Sequence, residues 1–345
     1  MLIKALKGKG IKFFGIGGER MKNEGCEIIF PMEKLEVIGF LEPLFKMKEV
    51  YYAKNLIVKN IKKRKPKFAI LVDFPGFNLS IARILKSYNV KVFYFIAPQI
   101  WAWGRRRSKI LRKYVDHLYS ILPFENLILE EENVRFSFVG NPLLDIVNIK
   151  GEIKRDDFKD YEKIIALLPG SREKEVKKLL PVMLNGFEKF RDKRKFIGII
   201  ALSNEKFLDF VEEEIKNYED IKVFINKTYD VLNVSDAAII SSGTATLESA
   251  MIGTPMVVVY KISFLSYLIA KILVKIKYVS LVNLIMGEEI VPELIQKFST
   301  DDIVEKLNYV IGKNEYYKNK FKILNKKLGS KGVYERVAID ILHRI

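Results

Sequence analysis

Two segments of the chain combine small and polar residues in a pattern that suits phosphate binding. Each follows an apolar run and precedes a predicted helix, and they read Pro169–Gly170–Ser171–Arg172 and Ser241–Ser242–Gly243–Thr244. Glycine permits a tight turn, and the free N–H groups at a helix start favour an anion. Arg172 adds several donors to the first turn. We interpret both turns as diphosphate sites, although the first alone could be an ordinary strand–turn–helix connection.

Glu248 lies about one turn into the helix that follows the second segment. A carboxylate at this place could accept hydrogen bonds from the two neighbouring hydroxyls of a ribose. The alternative is that Glu248 only complements the dipole of its helix. Because both turns would lie at the same edge of a parallel sheet, we favour a nucleotide-binding role for Glu248.

Asp73 is the candidate for acid–base chemistry. It follows the apolar run Phe68–Val72 and precedes a Pro–Gly turn, within the segment Leu71–Asn78. Partial burial there would raise the pKa of the carboxyl toward the range in which a general base works. An aspartate that only caps a helix or shapes a turn is the equally weighted alternative.

Gly17 and Gly18 follow a predicted strand, and glycine lets a backbone come close to a ligand. They do not form the GxGxxG fingerprint of dinucleotide-binding proteins, because Arg20 stands where that pattern requires glycine. A plain turn between a strand and a helix is the alternative interpretation.

Both tryptophans of the chain, Trp101 and Trp103, stand beside the three consecutive arginines Arg105, Arg106 and Arg107. Aromatic rings followed by clustered cations suit a lipid–water interface, or the bases and phosphates of a nucleic acid. The alternative is a pair of buried aromatic rings beside a solvated helix start. We predict that this segment contacts an anionic membrane.

The pattern of the whole chain predicts repeated βα units, since short apolar runs alternate with longer amphipathic segments. Near-continuous apolar strands between helices indicate parallel sheets that are covered on both faces. The predicted strands are Lys12–Ile16, Phe68–Val72, Lys91–Ile96, His117–Ile121, Phe136–Val139, Ile164–Leu168, Phe196–Ala201, Val223–Ile225, Ala237–Ile240 and Met256–Tyr260.

The polar stretch Asn148–Tyr161 separates two series of strands and is predicted to be a linker. The predicted fold class is therefore α/β, with two Rossmann-like doubly wound domains at residues 1–150 and 151–325. A C-terminal helix at 326–345 could cross back to the first domain. Two such domains would place a ligand cleft between their facing strand ends.

Composition excludes several classes of protein. A single cysteine, Cys26, rules out a disulfide framework and an iron–sulfur cluster, and with only two histidines no metal centre is expected. The chain has no run of 18 uncharged apolar residues that could cross a bilayer, and its N-terminus lacks the pattern of a signal peptide. We expect a cytoplasmic protein that meets membranes only at their surface.

The net charge of +17 is unevenly placed. Residues 1–150 carry 27 basic and 14 acidic side chains, and between Phe74 and Val115 there are nine basic residues and no acidic one. This excess of positive charge favours an anionic partner, which could be nucleic acid, phospholipid headgroups or a phosphorylated substrate.

Eight segments occur in the order seen in the lipid-A-disaccharide synthases, and the chain resembles that family from about Ile11 to about Gln296. The combination is far more specific than any single motif. The segments are FGIGGERM, LVDFPGFN, APQIWAW, VGNPLLD, LLPGSR, SSGTATLE, PMVVVYK and YVSLVNLIMG.

This resemblance implies an inverting glycosyltransferase of the GT-B type. Members of the family join UDP-2,3-diacylglucosamine to 2,3-diacylglucosamine 1-phosphate (lipid X), release UDP and form the β-1,6-linked disaccharide of lipid A. The resemblance further implies a peripheral protein on the inner face of the inner membrane. A homodimer is a possible assembly, and no metal cofactor is expected.

The resemblance also assigns roles to particular residues. Asp73 would be the catalytic base that takes the proton of the acceptor's 6-hydroxyl. The first domain would place Gly17, Gly18 and Asn78 near the acceptor. The residues expected to bind the UDP-sugar are Gly170, Ser171, Arg172, Ser242, Gly243, Thr244, Glu248 and Asn283.

The chain departs from the family pattern at two places. Val282 stands where most relatives have proline before the asparagine, which leaves the local backbone less constrained. Relatives also begin with a strand and a GExSGD-type loop ahead of a helix whose end Met1–Lys9 resembles. We therefore expect the sheet of the first domain to lack its first strand.

Two other functions fit part of the pattern. A UDP-N-acetylglucosamine epimerase of the same architecture would share the two turns of the second domain, but it would not need a lipid-facing aromatic and basic segment. A basic nucleic-acid-binding protein is the alternative from a different class, although charge alone is not specific for it.

Overall fold

The computed structural model of the protein describes residues 1–35, 47–101, 106–261 and 277–345. These residues form two compact units. Unit 1 contains Met1–Asp145 together with Ser330–Ile345, and unit 2 contains Ile146–Gly329. Each unit consists of parallel strands that alternate with helices, so the predicted α/β fold class is confirmed.

The boundary between the units lies at 145/146, whereas the sequence predicted 150/151. The backbone N–H groups of Lys150 and Gly151 donate to the carboxylate of Asp230 at 2.8 and 2.9 Å. Ile153 and Phe158 are buried. Much of the predicted linker is therefore packed on unit 2, because two apolar side chains within its polar sequence reach the interior.

The strands of the described residues are short and mostly apolar. In chain order they are β1 (Phe14–Gly17), β2 (Glu27–Pro31), β3 (Phe68–Val72), β4 (Lys91–Phe95), β5 (His117–Ser120), β6 (Phe136–Phe138), β7 (Lys163–Leu168), β8 (Phe196–Leu202), β9 (Ile221–Ile225), β10 (Ala237–Ser241), β11 (Met256–Tyr260) and β12 (Glu293–Ile295).

Helices connect most of these strands. In chain order they are α1 (Leu2–Leu6), α2 (Glu19–Asn23), α3 (Met47–Arg64), α4 (Pro75–Ser87), α5 (Arg106–Tyr114), α6 (Glu125–Glu131), α7 (Leu143–Ile146), α8 (Glu173–Arg191), α9 (Leu208–Ile215), α10 (Thr228–Val234), α11 (Thr244–Ile252), α12 (Leu281–Met286), α13 (Thr300–Ile311), α14 (Asn314–Leu328) and α15 (Val333–Arg344).

In unit 1, the described strands form two parallel sheets, β1-β2 and β3-β4-β5-β6. Side chains of a strand alternate between the two faces of its sheet. Along β4, Val92 and Tyr94 enter a core cluster that also contains residues of α4, whereas Phe93 and Phe95 enter a second cluster with residues of α15. The four-stranded sheet is therefore covered on both faces.

Helix α15 is tied to unit 1 at its start and along its length. The carboxylate of Asp145 accepts the N–H groups of Gly332 and Val333 at 2.6 and 2.8 Å, where a negative charge favours a helix start. Tyr119 on β5 donates its hydroxyl to Asp340 at 2.8 Å. The predicted C-terminal helix at 326–345 is thus two helices, α14 and α15, separated by a turn that contains glycines.

In unit 2, all six described strands are parallel and lie in the order β9-β8-β7-β10-β11-β12. In terms of their sequence within the unit this is 3-2-1-4-5-6, the strand order of a Rossmann fold. The order reverses between β7 and β10, which are direct neighbours. In such a fold, ligands bind at the carboxyl ends of the strands beside this reversal.

Candidate functional site

The two predicted phosphate-binding turns follow β7 and β10, so they lie side by side at the reversal point of unit 2. Gly170 has a φ of +115°, which is a backbone conformation that side chains rarely allow. A β-carbon at Gly170 would lie 3.1 Å from the hydroxyl oxygen of the buried Ser241. The structure therefore brings the two turns together within unit 2.

Helix α8 places a carboxylate, that of Glu175, beside the first turn, and the sequence analysis missed it. Ser171 and Arg172 are exposed, and the Arg172 guanidinium donates to Glu175 at 2.8 Å. The other oxygen of Glu175 would lie 2.7 Å from a β-carbon at Gly170. An anion that enters this turn would therefore meet the Glu175 carboxylate as well as the guanidinium of Arg172.

The second turn leads directly into α11, whose N-cap is Gly243. Gly243 and Thr244 are exposed, and the first N–H groups of a helix have no partner within it. The hydroxyl of Thr246 donates to the Gly243 carbonyl at 2.8 Å, while that of Ser242 donates to the Val279 carbonyl at 3.1 Å. The side chains of Ser242 and Thr246 thus hold the turn, and the backbone N–H groups at the start of α11 suit a phosphate.

Glu248 lies on α11 and accepts a hydrogen bond from the Tyr229 hydroxyl at 3.1 Å. Burial raises the pKa of the Glu248 carboxyl, and the hydrogen bond from Tyr229 acts in the opposite direction. Burial and the nearby Glu248 raise the pKa of Tyr229 to about 12, so the phenol stays a donor at neutral pH. Sequence reasoning missed Tyr229, because it reaches Glu248 from another helix, α10.

Asn283 is fully buried, and its side-chain amide is occupied by the protein itself. It donates to the Val291 carbonyl and to Glu293, both at 2.8 Å, and its oxygen accepts the N–H groups of Ile290 and Val291 at 2.7 and 2.9 Å. These four hydrogen bonds fix the chain that leads into β12. They favour a structural role for Asn283 over the predicted contact with UDP.

Asp73 follows the carboxyl end of β3, and its own φ of +44° and that of Phe74, +46°, are both left-handed. The Asp73 residue is exposed, but the surrounding protein partly removes water from its carboxyl and raises the pKa. The N–H group of Phe74, which donates to this carboxyl, acts in the opposite direction. The structure thus gives Asp73 the raised pKa that the sequence analysis associated with a general base.

Asn78, which the sequence analysis placed near the acceptor, lies on α4 next to Asp73. Its side-chain amide donates to the carbonyl oxygens of Val72 and Asp73 at 3.0 and 2.8 Å. Tyr94 on the neighbouring strand β4 donates its hydroxyl to the same Asp73 carbonyl at 2.6 Å. Sequence reasoning missed Tyr94, since nothing in its apolar strand distinguishes its hydroxyl.

Gly17 and Gly18 come close to side chains of the protein itself. A β-carbon at Gly17 would lie 2.3 Å from the sulfur of Met21, and one at Gly18 would lie 2.7 Å from an oxygen of Glu33. Both contacts are with the outer atoms of flexible side chains, so they do not by themselves require glycine, and the predicted role of both glycines at the acceptor stays a prediction.

The aromatic and basic segment is described in part. Trp101 is half-buried, its indole N–H donates to Glu125 at 3.2 Å, and its ring packs edge-on against Phe124. Arg106 is exposed and Arg107 is half-buried at the start of α5. Trp103 and Arg105 lie outside the described residues. The contacts of Trp101 give it a role within unit 1, and its predicted membrane contact remains untested.

Glu125 is a buried carboxyl that sequence reasoning did not identify. Burial raises its pKa to about 7, while hydrogen bonds from the Leu122 N–H and from Trp101 oppose that rise.

Within the described ranges, His, Cys, Asp and Glu side chains form no group of three that could hold a metal ion. In the same ranges, no helix has the length and the apolar character that a bilayer crossing requires.

Sequence comparison finds one protein family that matches nearly the whole chain. The model of the family described as lipid-A-disaccharide synthetase matches residues 1–337. The lipid-A-disaccharide synthase of Syntrophus aciditrophicus (strain SB) is 34% identical over 344 residues, which cover 96% of this chain and 90% of the relative. The lipid-A-disaccharide synthase of Persephonella marina (strain DSM 14350 / EX-H1) is 36% identical over 364 residues, which cover 98% of this chain and 93% of the relative.

Solved structures share the fold at much lower identity. A putative UDP-N-acetylglucosamine 2-epimerase from Listeria monocytogenes has a TM-score of 0.64 at 11% identity, covering 96% of both chains. The UDP-GlcNAc 2-epimerase from Neisseria meningitidis, bound to UDP-GlcNAc, has a TM-score of 0.63 at 12% identity. The match covers 97% of this chain and 100% of the epimerase chain. The calicheamicin glycosyltransferase CalG4 has a TM-score of 0.63 at 13% identity, and the match covers 99% of this chain and 92% of the CalG4 chain. At these identities the likeness shows the fold, which is that of GT-B glycosyltransferases and of these epimerases.

Proposed function

This chain belongs to the lipid-A-disaccharide synthase family and is a glycosyltransferase, and from that premise we propose the parts its residues play in the transfer. The family match over residues 1–337 is the observation that carries the assignment. We propose UDP-2,3-diacylglucosamine as donor and 2,3-diacylglucosamine 1-phosphate as acceptor. The products are then the β-1,6-linked disaccharide 1-phosphate and UDP.

Neither alternative from the sequence has comparable support. The epimerases match this chain at 11% and 12% identity, which carries the fold and no activity, whereas the synthases match at 34% and 36%. The basic charge of residues 1–150 is equally expected of a protein whose substrates are phosphorylated and sit at an anionic surface.

We assign the donor to unit 2. The turns after β7 and β10 lie together at the reversal of strand order, where a Rossmann fold binds its ligand. The exposed backbone at Gly243 and Thr244 and the guanidinium of Arg172 suit the diphosphate, and the half-buried Glu248 suits the ribose hydroxyls. The backbone N–H groups and the Arg172 guanidinium stabilise charge on the departing UDP, and we propose that they do so without a metal cofactor.

We assign proton removal from the acceptor to Asp73 of unit 1. In a single displacement, the acceptor's 6-hydroxyl oxygen attacks C1 of the donor sugar from the face opposite UDP, and one base takes the hydroxyl proton. A raised pKa improves a carboxylate as a proton acceptor, and the pKa of Asp73 is raised by partial desolvation. The left-handed turn after β3 presents this carboxyl to solvent, where a substrate hydroxyl can reach it.

The substitution Asp73→Asn tests this assignment. We expect the turnover rate to fall by ~10²–10⁴-fold, because removal of a general base typically has that effect. Calorimetry should give the same affinity for UDP as in the parent protein, since the donor site belongs to unit 2. Asp209→Asn, on the exposed surface of α9, is the matched control. A parent-like rate for Asp73→Asn would remove this residue from the mechanism.

We further propose that the protein meets its acylated substrates at an anionic membrane surface, as a peripheral protein on the inner face of the inner membrane. The excess of basic residues in 1–150 supports this location, as do the exposed Arg106 and the half-buried Arg107. A homodimer belongs to the same proposal and rests on the family resemblance alone.

A further inference from the structure

Two consecutive residues other than glycine, Asp73 and Phe74, adopt left-handed backbone conformations between β3 and α4. Such residues are strained and persist only where the surrounding structure holds them firmly. Glycine would relieve this strain, yet the chain places an aspartate and a bulky aromatic residue here. Contacts with the surrounding protein must therefore maintain this conformation.

Side chains from two different elements hold the peptide groups on either side of Asp73. Asn78 on α4 donates to the carbonyl before it, that of Val72 at 3.0 Å, and to its own carbonyl at 2.8 Å. Tyr94 on β4 adds a second donor to the Asp73 carbonyl at 2.6 Å. The Asp73 N–H donates to the Phe95 carbonyl at 2.9 Å.

These hydrogen bonds determine the direction in which the Asp73 side chain leaves the backbone. The orientation of the preceding peptide plane sets φ of a residue, and that of the following plane sets ψ. Asn78 contacts both planes, and the fully buried Tyr94 holds the following one from a strand that is itself fixed in the sheet. With both dihedrals fixed, the bond from Cα to Cβ of Asp73 has one direction.

We propose that Tyr94 and Asn78 are positioning residues for the reaction, which aim the Asp73 carboxylate at the acceptor hydroxyl by clamping the backbone around it. This inference rests on the proposed function, in which Asp73 is the base. The two residues act on carbonyl oxygens, so neither of them occupies a carboxylate oxygen that the acceptor needs. A proton-accepting group misplaced by about 1 Å loses rate on the order of 10²-fold, which is why such a clamp matters.

The variants Tyr94→Phe and Asn78→Ala remove the clamp from its two sides. Tyr94→Phe keeps the buried ring and deletes only the hydroxyl. We expect the turnover rate of each variant to fall by ~10–100-fold, with UDP affinity unchanged. The acid limb of the rate profile should move to lower pH, because a loosened carboxyl gains water and loses part of the desolvation that raises its pKa.

Tyr119→Phe provides the matched control. Tyr119 is equally buried, lies on the adjacent strand β5 and donates its hydroxyl to Asp340 at 2.8 Å, in the cluster on the other face of the sheet. It therefore reports what the loss of a buried tyrosine hydroxyl costs in this sheet away from Asp73. Thermal unfolding of all three variants measures that structural cost separately from the rate.

The outcomes separate this inference from the proposed base. Parent-like rates and pH profiles in Tyr94→Phe and Asn78→Ala, with an inactive Asp73→Asn, would overturn the positioning role alone. The positioning role would also be overturned if Tyr94→Phe and Asn78→Ala lost as much stability as Tyr119→Phe but kept the turnover rate and the acid limb of the pH profile of the parent protein. An active Asp73→Asn would instead contradict the base assignment. An effect of Asn78→Ala alone would overturn the part given to Tyr94.

Discussion

Arg172 and Glu248 are the charged side chains that the proposed donor site offers to UDP. We expect Arg172→Ala and Glu248→Ala each to weaken UDP binding about tenfold or more, because a hydrogen bond to a charged group contributes ~1.5–3 kcal/mol. Neither variant should lower the unfolding temperature appreciably, since Arg172 is exposed and Glu248 is half-buried. Isothermal titration calorimetry with UDP measures the first effect, and a thermal melt measures the second.

Lys177→Ala is a matched control for this prediction. Lys177 lies on α8, the helix that Arg172 caps, and pairs with Glu173 on the solvent side. Unchanged UDP affinity in both site variants would mean that the ligand sits elsewhere. If only Arg172→Ala keeps its affinity, the Glu175 carboxylate already neutralises that guanidinium in the turn.

Individual residues show where sequence reasoning reaches its limit. Asp73 and Glu248 could be predicted because each belongs to a short motif directly after a strand. Tyr94 and Tyr229 could not, because each reaches its partner from an element 19 or more positions away in the chain. Glu175 was within reach, since it follows Arg172 by three positions, the spacing of a side chain in the first turn of a helix.

At the scale of elements, helix α6 begins with the buried carboxyl of Glu125. Its folded-state pKa of about 7 lies above the 4.5 expected of an unfolded chain, so its ionised form destabilises the fold. This penalty is absent below pH 4.5, grows as the pH rises to about 7 and then stays constant. At pH 8 it amounts to on the order of 3 kcal/mol.

The substitution Glu125→Gln removes this titration and keeps the size of the side chain. We expect the variant to gain stability relative to the parent as the pH rises from 4 to 8, in urea unfolding followed at several pH values. Glu130→Gln, on the exposed surface of the same helix, is the control. A stability difference between Glu125→Gln and the parent that does not change with pH would show that this carboxyl ionises without penalty.

The elements themselves were largely predictable. Strands β3 and β11 begin and end where the apolar runs do, because buried parallel strands are apolar throughout. Strands β2 and β12 were missed for physical reasons. Strand β2 has three consecutive apolar residues and β12 has two, so both runs are shorter than the four to eight residues that predict a buried strand.

At the scale of the whole molecule, α15 completes the core of unit 1. Ile341 is fully buried against the sheet, and its replacement by alanine should destabilise the unit by ~2–5 kcal/mol. Both tryptophans belong to the first 145 residues, so tryptophan fluorescence in urea follows unit 1. Ile339→Ala, 54% exposed on the same helix, is the control. Identical fluorescence midpoints for Ile341→Ala and Ile339→Ala would contradict the packing of α15.

The basic charge of unit 1 predicts how the protein meets a membrane. Each lysine or arginine near an anionic surface contributes ~1 kcal/mol, and salt screens this attraction within about a Debye length. Replacing Arg106 and Arg107 by serine should therefore lower co-sedimentation with phosphatidylglycerol vesicles at low salt and much less at high salt. The same replacement of Lys159 and Lys195, both exposed in unit 2, is the control. Equal loss in both double variants would indicate attraction by overall charge.

The return of the chain to unit 1 sets an order for events during synthesis. Val333, Val337 and Ile341 leave the ribosome only after all of unit 2, whose residues form one continuous stretch. Until then, Phe93 and Tyr119 on the first-made sheet lack the cover that α15 gives them. Apolar surface exposed in this way invites aggregation and is what chaperones shield. The unit whose synthesis begins first is thus the last to finish folding.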